Sequence, residues 1–523
     1  MTVPCPDDVT PILNVRDLSI SFKMYDRRLE QRVVPTIRRL SATIHPGKML
    51  AVVGASGSGK SLLAHAILGI LPANASVGGE MEYCGETLTP ALQKKLRGRE
   101  IALVPQSVTS LDPLMRIKRQ LCIPGIRPED VTVVLRRYGL GEEEERLYPF
   151  QLSGGMARRA LVSTAVVLDP KLVIADEPTP GLTRTLANEA MMHFKELTAR
   201  GCAVMLITHD LDLAFRYADD VTIFYEGTTV ETLSASDFGR PNLDALSPYC
   251  RALWHAIPQN DFTAVPQRTI RRMLGLPGDP PFARISGDRP DESKSKRQEK
   301  ATLPAEETDR GLVAEKVGFR YGGRRSRFVL ENVDLRIAPG ERVGLLGPSG
   351  CGKSTLGKLL TGYLIPTGGR ILLDGKPLPR RGYSPVQLIY QHPEQAVDPN
   401  RKMRETLCEG WLPDAELLEN MEIEQEWLNR WPLELSGGQL QRFCIVRALG
   451  PETRYLIADE ISTMLDVITQ AQIWRALLKI VEERRLGLLM ITHNEALAEK
   501  TCTRIVRFPA DDAQPQAAGR MQG

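Results

Sequence analysis

The sequence is short of cysteine, of charge of one sign, and of long apolar runs. Nine cysteines are spread over 523 residues (Cys5, Cys84, Cys122, Cys202, Cys250, Cys351, Cys408, Cys444, Cys502), with no Cys-x-x-Cys pair and no His-Cys cluster. That excludes a zinc ribbon and a disulfide framework, and an odd, dispersed set points to reduced thiols and a cytosolic address. Lysine plus arginine number 67 against 64 aspartates plus glutamates, a formal net charge of +3. Nothing in that balance calls for a nucleic-acid partner. No stretch approaches the roughly 18 apolar residues a membrane span needs. Even Ala160–Glu177 is broken by Asp169, Pro170 and Lys171. The amino-terminal MTVPCPDDVT lacks the basic and apolar regions of a signal peptide. The expectation is a chain that does not cross a membrane but can dock on something that does.

What is present is ordinary in composition and unusual in order. At 42% hydrophobic and 25% charged the chain is globular, ruling out collagen, wholesale disorder and a disulfide mini-protein. Its length predicts two or three domains. Self-similarity then divides it: GASGSGKS at Gly54–Ser61 recurs as GPSGCGKS at Gly347–Ser354, and LSGGM at Leu152–Met156 as LSGGQ at Leu435–Gln439. LVIADE ending at Glu177 recurs as YLIADE ending at Glu460, and ITHD at Ile207–Asp210 as ITHN at Ile491–Asn494. The signature serine precedes the aspartate by 23 residues in both halves, and aspartate to histidine is 33 residues in one and 34 in the other. Four matched words in one order make the chain a tandem duplication. Between the halves, roughly 261–310 is rich in proline, glycine and charge and reads as a solvated tether; the alternative of a basic patch at Lys294–Lys300 is diluted by Glu299. The tail 509–523 reads as disordered.

Each glycine loop follows a short apolar run (Met49–Gly54, Val343–Gly347) that reads as a buried strand, and precedes helical spacing at Leu62, Leu63, Ala66, Ile67 and at Leu356, Leu359, Leu360. Gly-x-x-x-x-Gly-Lys-Ser between strand and helix is a phosphate loop. Its glycines let successive N–H groups wrap phosphates, and the helix amino terminus adds partial positive charge. The candidate ligands are Gly54, Ser56, Gly57, Ser58, Gly59, Lys60, Ser61 and Leu62, and Gly347, Ser349, Gly350, Cys351, Gly352, Lys353, Ser354 and Thr355. Lys60 and Lys353 would neutralise phosphate oxygens, while the Ser61 and Ser354 hydroxyls would meet Mg²⁺. Asp176 and Asp459 end buried strands and would hold that Mg²⁺; Glu177 and Glu460 would polarise the attacking water. His209 and His493, each just past another strand, read as sensors of the γ-phosphate. A nucleoside triphosphate with Mg²⁺ is therefore the expected cofactor, which the resemblance below makes ATP.

Phosphate loop, LSGGQ-like signature, apolar-Asp-Glu and histidine, in this order, resemble the nucleotide-binding domains of ABC proteins along nearly the whole chain. The resemblance implies an α/β fold of two P-loop NTPase domains, each with a RecA-like core, a β-subdomain and a helical signature subdomain. Their expected limits are 10–260, with a carboxy-terminal extension, and 311–508. It implies two lobes sandwiching two ATPs, each between one lobe's phosphate loop and the other's signature: Ser153, Gly154, Gly155 or Ser436, Gly437, Gly438, Gln439. It assigns Gln106 and Gln391 as Q-loop glutamines serving metal and catalysis, and Phe22 and Tyr321 as adenine platforms, for which a core role is the rival.

More finely, PQSVTSLDP (Pro105–Pro113), LSGGMARR (Leu152–Arg159) and SPYCRALWHAIP (Ser247–Pro258) resemble the first ATPase of oligopeptide, dipeptide and nickel importers. His392–Leu407 and Leu435–Leu449 resemble the second. The implied function is the ATP-hydrolysing motor of an importer for peptide, nickel or a metal chelate. It would lie on the cytoplasmic face of the membrane, with two permeases and an extracytoplasmic binding protein as partners. The rivals are a soluble tandem ABC ATPase of translation or DNA repair, and an exporter motor. One asymmetry stands out: Asp466 ends the second D-loop, but Thr183 stands at that place in the first. The site holding Lys60 and Glu177, completed by Asp466, is then expected to be the faster, unless threonine is tolerated without consequence.

Overall fold

The computed structural model describes residues 10–25, 31–54, 58–123, 125–179, 184–239, 243–275, 311–322, 326–348, 350–379, 381–462 and 465–508. The chain forms two compact units, Met1–Trp254 and His255–Gly523. In the first, five parallel strands lie in the order Ile101–Val104, Leu172–Asp176, Ala203–Thr208, Met49–Gly54, Asp220–Tyr225. Every residue of Met49–Gly54 and Ala203–Thr208 is buried, as a parallel strand covered on both faces requires. Helix Lys60–Leu68 packs Leu63, Ala64 and Ile67 into a core with Val52, Leu172, Ile174 and Ile207. Each such aliphatic side chain contributes roughly 1.5–3 kcal/mol by leaving water.

Beside this core, strands Leu13–Tyr25, Gln31–Ile44, Ala75–Tyr83 and Glu86–Thr87 pair antiparallel, joined to the rest through Thr228–Ser234 and the single pair Thr228↔Arg39. A third, helical layer carries Ile117–Leu121, Pro128–Arg137 and Gly154–Val166 around its own cluster of Leu111, Ile117, Val131, Leu135, Ala160 and Leu161.

The second unit repeats the plan. Its parallel order is Val386–Ile389, Tyr455–Asp459, Gly487–Thr492, Arg342–Leu346, Arg504–Arg507. Its antiparallel sheet (Leu330–Ile337, Leu312–Phe319, Gly368–Leu373, Lys376–Pro377) is separate. The expected fold class, two cassettes of three subdomains, is what forms. Among the described residues no helix is long and apolar enough to cross a membrane.

The segment expected to open the tether at 261 instead carries folded structure. Helix Gln267–Met273 forms, Ile270 is fully buried, Ala264 is buried, and Phe262 packs on the core of the second unit. These few apolar residues are too sparse to show a period, so only tertiary contact reveals them. Residues 276–310 and the expected tail 509–523 lie outside the described residues.

Candidate functional site

Strand register sets the chemistry. Val53 pairs with Thr208 and Asp176 with Ile207, so Gly54, Asp176, Glu177 and His209 emerge together at the carboxyl edge of the sheet. In the second unit Leu346 pairs with Thr492 and Asp459 with Ile491. Gly54 is obligatory: a Cβ there would lie 2.0 Å from the Phe224 carbonyl oxygen. Gly59 and Gly352 start the phosphate-loop helices at φ 96° and 98°, a left-handed backbone that favours glycine. Lys60 is buried and donates from Nζ to Gly54 O at 2.7 Å; Lys353 donates to Gly347 O at 2.7 Å and Pro348 O at 2.8 Å. Each lysine thus curls back along its own loop. Leu62 is half-buried against the core and Thr355 is buried, while Gly350 takes φ 85°. Ser56, Gly57 and Ser349 lie outside the described residues, as does Thr183.

The acidic pairs divide into two roles. Asp176 hydrogen-bonds Ser61, and Ser354 Oγ donates to Asp459 Oδ1 at 3.0 Å. Burial pushes the Asp176 and Asp459 carboxyls up; the serine hydrogen bonds oppose it and the adjacent Glu177 and Glu460 add to it. Glu177 and Glu460 sit at φ 44° and 47°, unusual for glutamate, and are held there by Glu177 N–H to Ile207 O (2.8 Å) and Glu460 N–H to Ile491 O (2.9 Å). Their carboxylates collect partners: Gln106 Nε2 donates to Glu177 Oε2 at 3.2 Å, and Gln391 Nε2 to Glu460 Oε2 at 3.0 Å.

The histidines differ. His209 Nδ1 lies 3.1 Å from Glu177 Oε1 with its side chain 15% exposed; His493 Nδ1 lies 3.6 Å from Glu460 Oε1 with its side chain 58% exposed. Burial works to lower the His209 pKa, but the hydrogen bond and charge of Glu177 outweigh it and raise it above the usual value; Glu177 is correspondingly lowered, against its own burial. The Glu177 contribution to stability is present above the ordinary carboxylate pKa and lost as pH falls through the depressed one. The His209 contribution is complete below the ordinary histidine pKa and lost as pH rises through the elevated one. Wild type should therefore melt above His209→Gln most clearly at mildly acidic pH. The gap should close on the alkaline side of the His209 titration, as thermal denaturation across pH would record.

Ser153 and Ser436 cap the signature helices, accepting from Met156 N and Gln439 N at 3.3 Å. Gln439 Oε1 also accepts from Ser436 N at 3.0 Å, completing a capping box that Met156 cannot form. A Cβ on Gly155 or Gly438 would sit 3.0 Å from Leu186 or Thr469, whereas one on Gly154 or Gly437 would meet nothing within 4 Å. Phe22 is half-buried on its strand between Val34 and Ala75. Tyr321 is 53% exposed, with its hydroxyl 3.3 Å from Thr355 Oγ1 at the start of the phosphate-loop helix.

Two contacts beside the Q-loop carry no motif in the sequence. Arg158 Nη1 donates to Pro105 O at 3.0 Å, and Gln441 Nε2 to Tyr390 O at 3.3 Å. Both tie the signature helix to the residue just before the Q-loop glutamine. Their only sequence signal is a shared position, five residues past the signature serine.

Cys351 is half-buried in the second loop, its Sγ 4.0 Å from Lys353 Nζ. Alkylation should put bulk where phosphate is expected. A thiol reagent should then reduce ATPase in wild type and not in Cys351→Ser, with ATP slowing the loss; labelling of Cys351 at full activity would refute this.

Comparison with known proteins agrees with the geometry. The family model for ABC transporters matches residues 37–180 and 330–463. The chain is 31% identical over 95% of its length to the glutathione import ATP-binding protein GsiA of Escherichia coli O6:H1, covering 85% of that protein. The chain belongs to the ABC transporter family. GsiA of Escherichia coli K12 is 30% identical over the same shares. Among solved structures, an archaeal ribosome recycling factor, aABCE1, in complex with the ribosomal stalk protein aP1, matches 93% of this chain and 87% of its own at TM-score 0.56 and 20% identity, a likeness of fold. This ABC protein is thus an ATPase with two ATP-binding cassettes in one polypeptide.

Proposed function

We propose that this ABC ATPase drives an importer for a small peptide or peptide-like solute, including metal chelates. The carrying observation is the 31% identity over 95% of the chain, both cassettes and the segment between them, to a glutathione import ATP-binding protein. In this reading two permeases and an extracytoplasmic binding protein complete the machine. The chain then works at the cytoplasmic face of the membrane, and no nucleic acid takes part.

The two cassettes close on two ATPs, each held between one lobe's phosphate loop and the other's signature. Gly154 and Gly437 support this, because packing within each lobe does not need glycine there and a closely approaching phosphate does. Lys60 and Lys353 would turn from their loop carbonyls to phosphate oxygens. Glu177 and Glu460, both held below the usual carboxylate range by their histidines despite burial, are ionised and can take the proton of the attacking water. Gln106 and Gln391 hold the second oxygen of each carboxylate, fixing where that base points. Phe22 and Tyr321 remain the adenine candidates.

The residues fit Mg²⁺. Asp176 Oδ1 is buried with no hydrogen-bond partner among the described residues, beside the Ser61 hydroxyl, and the all-oxygen set of Ser61, Gln106 and Asp176 or Ser354, Gln391 and Asp459 suits a hard cation. Bound there, Mg²⁺ supplies neutralisation of phosphate charge.

The test is co-purification from detergent-solubilised membranes, followed by ATPase in proteoliposomes. Two permeases, and ATPase stimulated by the solute-loaded binding protein, are expected. Association with ribosomes instead, without permeases, would overturn the importer reading.

A further inference from the structure

We infer that the chain just after the first cassette is a strap, and that its grip on Gln472 positions the second signature helix. The contact is a relay of three groups. Val265 O accepts from Gln472 Nε2 at 2.7 Å, and Gln472 Oε1 accepts from Arg442 Nη2 at 2.8 Å. Arg442 belongs to the signature helix Gly437–Ala448, and Gln472 to helix Val467–Glu483, which Asp466 caps through Thr469 N. Both relay side chains are buried, at 5% exposure. Arg442 is also held within its own subdomain, with Nη1 donating to Met421 O at 2.8 Å and the same Nη2 lying 3.2 Å from Glu422. Alongside, Arg475 Nη1 donates to Ala264 O at 3.1 Å, and Phe262 packs on the hydrophobic core.

The bridge uses both ends of an amide. Gln472 accepts from the guanidinium through Oε1 and donates to the backbone carbonyl through Nε2, two atoms on one rigid plane. A carboxylate would keep the arginine and face Val265 O with a second acceptor. At the matching positions of the first cassette the chain carries Glu189 for Gln472 and Met192 for Arg475, with Arg159 for Arg442. Glu189 carries no amide N–H, and Met192 is 54% exposed. The strap's residue types are therefore confined to the second cassette. A buried arginine held by Met421 O, Glu422 and Gln472 resists rotation, so the strap biases the angle of the helix that opens with Ser436 and Gly437. Gln472 and Arg442 are positioning residues: neither reaches the phosphate loop.

The consequence for catalysis rests on the proposed pairing, in which the second signature closes on the Lys60 site. The test uses full-length protein carrying Gln472→Glu, with Arg475→Met as a milder surface variant that leaves the core untouched. Hydrogen exchange of the amides around 262–267 should accelerate in both. In a Glu460→Gln background, where turnover comes from the Lys60 site, Gln472→Glu should lower kcat roughly fivefold or more with KM for ATP unchanged, the scale of a modest coupling. In a Glu177→Gln background it should change little. Unaltered exchange in Gln472→Glu would overturn the strap. Faster exchange with kcat unmoved in both backgrounds would reduce it to a structural contact and overturn the positioning role. A kcat loss confined to the Glu177→Gln background would uphold the strap and overturn the pairing instead.

Discussion

Glutamine in place of Glu177 is expected to remove more ATP turnover than glutamine in place of Glu460. Both changes keep size but delete the base, which at one site is worth on the order of 10²–10⁴ in rate, and they turn one accepting oxygen into a donating NH2. The sites differ in how completely that base is held. Glu177 has Gln106 at 3.2 Å and a largely buried His209 at 3.1 Å, whereas Glu460 has Gln391 at 3.0 Å but a mostly exposed His493 at 3.6 Å. In the proposed pairing the Glu177 site is also completed by Ser436, whose capping box is closed by Gln439, and by Asp466. The Glu460 site receives Ser153, which caps its helix by accepting from Met156 N without a reciprocal bond from Met156, and Thr183. Steady-state ATPase of each variant in the assembled transporter decides this. Equal losses, or a larger loss from Glu460→Gln, would reject unequal sites.

Lys60→Ala should weaken ATP binding at the first phosphate loop by one to two orders of magnitude. A charge-assisted hydrogen bond removed from a buried site costs about 1.5–3 kcal/mol, or roughly 10–150-fold in affinity. Lys60 Nζ is already desolvated and bonded to Gly54 O, so the loop also loses an internal tie and its strand-end carbonyl loses a donor. Lys353→Ala should act alike at the second loop, where the ammonium holds both Gly347 O and Pro348 O. Equilibrium titration with a fluorescent ATP analogue would resolve one site of undiminished affinity in each variant and none in the double variant. Two sites of undiminished affinity in either single variant would show that the lysines do not carry the phosphate. Melting temperature controls for loop collapse.

The sequence by itself determined the duplication, the phosphate loops and the acidic pairs. These are local words whose chemistry follows from residue type and spacing: glycines that permit φ near 96° at Gly59, and carboxylates that must follow a buried strand. Parallel strands bury both faces, so they read as unbroken apolar runs and located Asp176 and Asp459 without any structure. Tertiary structure alone decided what lies between distant words. That His209 closes on Glu177 while His493 stands open, and that Arg158 and Gln441 reach the carbonyls before the Q-loop, are matters of ångströms across 50 or more residues of chain in the second case. Residues 261–275 show their order only in the tertiary structure for the same reason. Their composition is that of a tether, and their order comes from Gln472 and Arg475, more than 200 residues away, supplying donors to carbonyls that would otherwise turn to water.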